Sequence, residues 1–99
     1  MNVMIVRAKI KPETAEEVVA AAETMFAAIE KADPQGARYA SLVLPDGVTF
    51  VALLAVDEGI ENPLMAVPEF VEFEGNLRNW LAEPPTPEQL TVIGSYRFL

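Results

Sequence analysis

Residues 37–56, ARYASLVLPDGVTFVALLAV, consist of two apolar segments joined by a short turn. In that turn, Pro45 presets its own φ angle, and Gly47 accepts the positive φ that closes a tight chain reversal. The segments on either side are rich in the β-branched and aromatic residues that favour strands. The sequence therefore predicts a β-hairpin with strands at 37–44 and 48–56.

The elements on either side of this hairpin complete a six-element order. Residues 3–10, VMIVRAKI, predict a strand, and residues 14–32 place apolar side chains at spacings of three and four, as an amphipathic helix does. A second helix is predicted to begin near Pro68, and residues 90–98, LTVIGSYRF, predict the last strand. Between them, residues 84–87, PPTP, predict a stiff extended connector.

The order β-α-β-β-α-β is that of the ferredoxin-like α+β fold, in which two helices cover one face of a four-stranded antiparallel sheet. Thr14 and Glu17 have the spacing of a capping box, which predicts that they satisfy each other's backbone N–H groups at the start of the first helix. The inner side of the second helix is predicted to consist of Phe70, Phe73, Leu77, Trp80 and Leu81. A chain of 99 residues is too short for two cores, so we expect one domain over residues 1–99.

Apolar residues occupy both faces of the predicted sheet. In the third strand, Val48, Phe50, Ala52, Leu54 and Val56 alternate with Thr49, Val51, Leu53 and Ala55, and both sets are largely apolar. Two helices can cover only one face, and soluble monomers rarely expose an apolar patch as wide as the other. We therefore predict a homodimer in which two copies pack sheet to sheet about a two-fold axis.

The composition excludes several classes of chemistry. The chain has no Cys and no His, which removes disulfides, thiolate nucleophiles, zinc–thiolate sites, Ser-His-Asp triads and haem held by an axial His. Its net charge of −8 and scattered basic residues argue against nucleic acid as a partner. The longest run free of charged and turn residues, 48–56, is too short to cross a membrane, and the first residues do not form a signal peptide. We expect a cytoplasmic protein with no membrane partner.

A chain of this length with this element order and a two-sided apolar sheet resembles the dimeric α/β-barrel superfamily, and within it the antibiotic biosynthesis monooxygenase-like group. Monooxygenases of that group place an Asn and a Trp one turn apart on the second helix, facing a pocket. Asn76 and Trp80 stand four residues apart in GNLRNW. The group also uses an Arg late in the fold, for which Arg97 is the one late candidate. This chain has a proline-rich connector where the group has a Tyr after that helix.

The resemblance implies oxygenation without a cofactor or a metal. An aromatic or polyketide-like substrate with a phenolic or enolic group would lose a proton, and its anion would reduce O2 directly. Asn76 and the Trp80 indole N–H would donate hydrogen bonds to the developing oxyanion, with Arg97 or Arg7 as electrostatic support. Tyr39, Phe73 and Tyr96 are the candidate substrate-binding residues. Tyr39 and Tyr96 are also the candidate bases, although an unperturbed tyrosine titrates at about pH 10.

Two other functions stay open. A non-catalytic ligand-binding or accessory protein could fill the space beneath the second helix with side chains or hold a regulatory metabolite there. An isomerase or lyase acting on a small cyclic acid is disfavoured because the sequence offers no well-placed base. An open pocket of about 300 Å³ or more, with Asn76 and Trp80 pointing inward, would favour an enzyme or a sensor. A closed space packed with Phe70, Phe73 and Leu77 would favour a structural role.

Overall fold

A computed structural model describes residues 1–99 as one sheet and two helices. The elements are β1 (Asn2–Lys9), α1 (Ala15–Ala32), β2 (Ala37–Val43), β3 (Thr49–Val56), α2 (Pro68–Trp80) and β4 (Thr86–Leu90), with 3₁₀ turns at Pro12–Thr14 and Pro63–Ala66. The strands are antiparallel and lie in the order β2-β3-β1-β4. This arrangement confirms the predicted ferredoxin-like α+β fold. Neither helix combines the length and the apolar character needed to cross a membrane.

The central hairpin forms where it is predicted, with each strand one residue shorter at the turn. Gly47 closes the turn with a φ of 74°. The Asp46 carboxylate accepts hydrogen bonds from the backbone N–H groups of Val48 and Thr49, both at 2.9 Å, and from the Thr49 hydroxyl at 2.6 Å. These bonds, the Thr49 hydroxyl first, lower the pKa of Asp46. The register that follows pairs Val43 with Phe50.

Replacing Gly47 by alanine is expected to lower the free energy of unfolding by roughly 1–2 kcal/mol, because a left-handed φ brings the Cβ of an L-residue too close to the following carbonyl oxygen. Gly75 in α2 offers a matched control, since a Cβ there would meet no atom within 4 Å. Gly75→Ala should instead raise that free energy by up to about 1 kcal/mol through helix propensity. Urea denaturation followed by circular dichroism measures both changes, and a stabilising Gly47→Ala would contradict the turn assignment.

The last strand is earlier than the sequence predicts. Residues 90–98 do not form a strand; β4 runs from Thr86 to Leu90, pairing Thr86 with Arg7 and Leu90 with Val3. The predicted connector at 84–87 was therefore partly wrong, because Pro87 lies within β4 opposite Val6. β4 is an edge strand, and a proline there need not donate a hydrogen bond to a neighbouring strand.

Helices α1 and α2 bury their apolar sides against one face of the sheet. The core cluster consists of Ile10, Val18, Met25, Leu64, Val67, Phe70, Phe73 and Trp80. Val19 of α1 lies outside this core and is 42% exposed. The capping box was wrong: Thr14 lies in the 3₁₀ turn that precedes α1, and its hydroxyl donates to the Lys11 carbonyl at 2.7 Å instead.

The side of the sheet that faces away from the helices, here called the second face, carries the apolar residues predicted for it together with several polar ones. Its apolar strand residues are Val3, Ile5, Ala40, Leu42, Val51, Leu53, Ala55 and Leu90, and its polar ones are Arg7, Lys9, Arg38, Thr49, Thr86 and Glu88. Phe98 and Leu99 share a groove with Val3 and Ala55, which are only 3% and 2% exposed. Ala40 and Leu53 line the same groove, so the chain end lies over the second face as far as its centre, whereas Leu42 remains 49% exposed.

Candidate functional site

A cavity of about 140 Å³ lies between the helices and the helix-facing side of the sheet, partly open to solvent. Strands β1, β2 and β3 point alternate side chains toward the helices, and α1 and α2 contribute the facing side chains. Fourteen of its 16 lining residues are hydrophobic. The larger apolar side chains of the wall are Met4, Val6, Ile10, Val18, Phe50, Leu54, Phe70, Phe73 and Leu77.

Aromatic contacts fix the Tyr39 side chain in this wall. Its ring stacks on Phe26 with the centroids 5.2 Å apart, and Phe70 meets it edge-on at 5.5 Å. The α2 side of the wall is held in a similar way, since Phe73 packs against Trp80 at 5.4 Å. Aromatic pairs of this geometry stabilise ring positions beyond the effect of area burial. Packing between aromatic rings therefore fixes the positions of Tyr39 and Phe73 in the cavity wall.

The polar groups of the cavity come from three residues, Tyr39 and Ser41 of β2 and Glu74 of α2. Burial raises the pKa of Tyr39; the Ser41 hydroxyl partly offsets this rise, and the Glu74 carboxylate adds to it. Although part of Glu74 reaches solvent, partial burial of its carboxyl group raises the pKa of Glu74 as well. At neutral pH the cavity thus presents a protonated tyrosine hydroxyl and a carboxylate in otherwise apolar surroundings.

Tyr39 and Phe73 are the two predicted site residues that line this cavity. Asn76 lies in a shallow groove between α1 and α2 beside Thr24 and Glu72. The Trp80 side chain is 5% exposed and belongs to the core cluster.

The remaining two predicted residues lie on the chain end after β4. Tyr96 is 80% exposed, and the Arg97 guanidinium carbon lies 5.1 Å from the centre of its ring. Neither residue lines the cavity of the same chain. The structure therefore brings Tyr39 and Phe73 together and leaves Asn76, Trp80, Tyr96 and Arg97 outside the cavity wall.

Glu74 is the site residue that sequence reasoning missed. With Glu69 and Glu72 it looks like part of a solvated acidic group near the start of α2. The useful signal is helical spacing, because Glu74 is four residues after Phe70 and three before Leu77, both on the inner side. That spacing places a carboxylate on the apolar face of the helix. Elsewhere in the structure, no group of three or more acidic side chains is placed to hold a metal ion.

No protein-family model matches the sequence, and no curated protein matches it. Solved structures do match the fold. A candidate antibiotic biosynthesis monooxygenase from Nitrosomonas europaea superposes with a TM-score of 0.75 at 21% identity, covering 95% of this chain and 100% of that one. Rv0793 from Mycobacterium tuberculosis gives 0.74 at 17% identity, covering 95% and 96%.

A candidate antibiotic biosynthesis monooxygenase from Caulobacter crescentus is similar, with a TM-score of 0.71 at 19% identity over 94% of this chain and 90% of that chain. At these identities the likeness is one of architecture, and it extends over nearly the whole chain. It agrees with the resemblance drawn from the element order and the two-sided sheet. The chain therefore has the ferredoxin-like fold of the antibiotic biosynthesis monooxygenase-like structures.

Proposed function

We propose that this chain binds a single-ring aromatic molecule in the cavity lined by Tyr39, Phe73 and Glu74. The cavity volume of about 140 Å³ carries the proposal. It is below the roughly 300 Å³ expected above of an enzyme or sensor pocket, and Phe70, Phe73 and Leu77 narrow it without closing it. An apolar protein cavity of about 150 Å³ holds benzene. Of the predicted aromatic and polyketide-like ligands, only those of single-ring size fit this space without an opening movement.

The reaction we propose for such a ligand is cofactor-independent oxygenation of a hydroxylated ring. Two structural neighbours carry the name of antibiotic biosynthesis monooxygenases, and an apolar cavity suits a reaction between a substrate anion and O2. A hydroxylated ring would enter uncharged, its hydroxyl proton would pass to the Glu74 carboxylate, the one such acceptor in the wall, and the Tyr39 hydroxyl would donate a hydrogen bond to the oxyanion that forms. The apolar wall would exclude water. Because Asn76, Trp80 and Arg97 lie outside the cavity wall, this proposal gives them no direct contact with the substrate.

A non-catalytic ligand-binding protein is the second candidate. It is favoured by one observation, that Asn76, Trp80 and Arg97 do not line the cavity. Oxygen uptake with hydroxylated single-ring aromatics separates the two candidates. Binding accompanied by uptake supports the oxygenase, and binding without uptake supports the non-catalytic protein.

We also propose that two copies of this chain form a homodimer through the second face. Ile5 and Leu53 are cross-strand neighbours at its centre, Val51 is two residues before Leu53 on β3 and opposite Arg7, and all three apolar side chains keep part of their surface exposed. The chain end beyond β4 adds exposed apolar side chains, among them Ile93 and Phe98. Covering an apolar surface of this kind is the main favourable term in protein association.

Toluene, a neutral probe of single-ring size, is expected to bind the wild-type chain, and Ala52→Leu is expected to weaken that binding at least tenfold. Ala52 lines the cavity, so the added atoms would occupy the space that the ring needs. Titration calorimetry measures the dissociation constants. Ala20→Leu, which adds the same atoms on the exposed side of α1, is the control and should bind as wild type does. Unchanged affinity in Ala52→Leu would place the ligand elsewhere.

A further inference from the structure

Glu74 is the one residue of the cavity wall that is charged at neutral pH. The wall otherwise consists of 14 hydrophobic residues, Tyr39 among them, and Ser41. None of the seven Lys and Arg side chains lines the cavity. A carboxylate in apolar surroundings is unfavourable unless a donor or a cation meets it. Glu74 is itself partly exposed, so its carboxylate lies where the apolar cavity opens to solvent.

The protein itself supplies no partner for this carboxylate. Arg78 is four residues further along α2, at a spacing that suits an ion pair, but its Nε–H donates to the Gly75 carbonyl at 3.3 Å. The one ion pair in the structure joins the amino terminus to Glu58. Of the groups that face Glu74 from the other elements, Tyr39 on β2 is the only titratable one, and α1, β1 and β3 present apolar side chains. Within the protein the carboxylate therefore has no fixed partner, and an amino group of a bound molecule could replace the solvent beside it.

We propose that Glu74 makes the cavity selective for single-ring aromatic molecules that carry a protonated amino group. This inference rests on the proposed function, which places a ring in the cavity. With the ring against Phe70 and Phe73, an amino group on a short substituent reaches the carboxylate at the mouth. A charge-assisted hydrogen bond then forms in partly desolvated surroundings, where such bonds are strong. Aromatic carboxylates would place like charges together and are excluded.

The test compares benzylamine, toluene and benzoate binding to the full chain at neutral pH by titration calorimetry. Wild type should bind benzylamine about tenfold or more tightly than toluene and should bind benzoate most weakly. Glu74→Gln should remove the advantage of benzylamine over toluene when both affinities are measured in the same variant. Glu72→Gln, which changes an acid of the same helix outside the cavity, should keep that advantage.

Glu74→Gln is expected to fold. Burial raises the pKa of Glu74 above its ordinary value, so the ionised carboxylate opposes folding as the pH rises through this pKa. The neutral amide removes that cost. For the same reason, the advantage of benzylamine should diminish as the pH falls through the raised pKa, whereas toluene binding should not change.

The outcomes separate this inference from the function on which it rests. If toluene binds and benzylamine binds no more tightly, selectivity by Glu74 is wrong and the single-ring cavity stands. An advantage that persists in Glu74→Gln also overturns the inference, because another group would then recognise the amine. If none of the three compounds binds, the proposed function fails and the inference fails with it.

Discussion

A Leu53→Asp variant is expected to have a mass of 10.8 kDa in solution, half that of the homodimer proposed for the wild type. Leu53 lies on β3 at the centre of the second face, with Ile5 and Ala40 as its lateral neighbours. In a sheet-to-sheet dimer, its replacement would bury a carboxylate with no partner. A buried carboxylate without a partner costs several kcal/mol of association free energy, which is enough to dissociate a dimer at micromolar concentration.

Light scattering at micromolar concentration measures this mass directly. The Leu53 side chain keeps part of its surface exposed in the single chain, so the variant should retain the circular dichroism spectrum of wild type. Val19→Asp is the matched control, because Val19 is exposed on α1 and away from the second face. It should remain a dimer. A wild-type mass of 10.8 kDa, or a dimeric Leu53→Asp, contradicts assembly through this face.

Trp80→Ala is expected to lower the free energy of unfolding by about 3–5 kcal/mol, as truncation of a buried Trp or Phe usually does. Trp80 ends α2, and its ring supports Phe73 in the cavity wall. A small domain has a total stability of about 5–15 kcal/mol, so this loss would remove a large share of it. Urea denaturation measures the change, and a loss below about 1 kcal/mol would contradict a core role.

Trp80→Phe and Asn76→Ala are the companion variants. Phenylalanine keeps an aromatic ring against Phe73 but removes the indole N–H, so it separates packing from hydrogen-bond donation. Asn76 lies in the groove between the helices, and its truncation should change stability by no more than about 0.5 kcal/mol. Neither variant should alter toluene binding. Where oxygen uptake is measurable, a fall in kcat with folding intact would support the donor role that the family resemblance assigns.

The parts of the fold that depend on neighbouring residues could be predicted from the sequence. The hairpin is specified by Pro45, Asp46 and Gly47, whose φ preferences and side-chain hydrogen bonds act within the turn. The apolar spacing of α2 likewise predicts the burial of Phe70, Phe73 and Trp80. These signals are local, so the sequence is sufficient to read them.

The last strand could not be located in this way, because its pairing with β1 is a tertiary property. Residues 91–98 have a stronger strand composition than Thr86–Leu90, yet the structure pairs the proline-containing segment. The candidate site shows the same limit. Tyr39 and Glu74 are 35 positions apart and meet only because α2 crosses over β2.

The cavity of Tyr39, Phe73 and Glu74 is the ligand-binding site that we propose for this protein. An NMR titration of the wild-type chain with toluene tests it most directly, because ring-current shifts report which side chains surround the added ring. Binding in the cavity should shift the signals of Tyr39, Phe73 and Leu77 and leave those of Tyr96 and Arg97 in place. Shifts confined to the chain end or the second face, or no shifts at all, would show that the cavity is not the site.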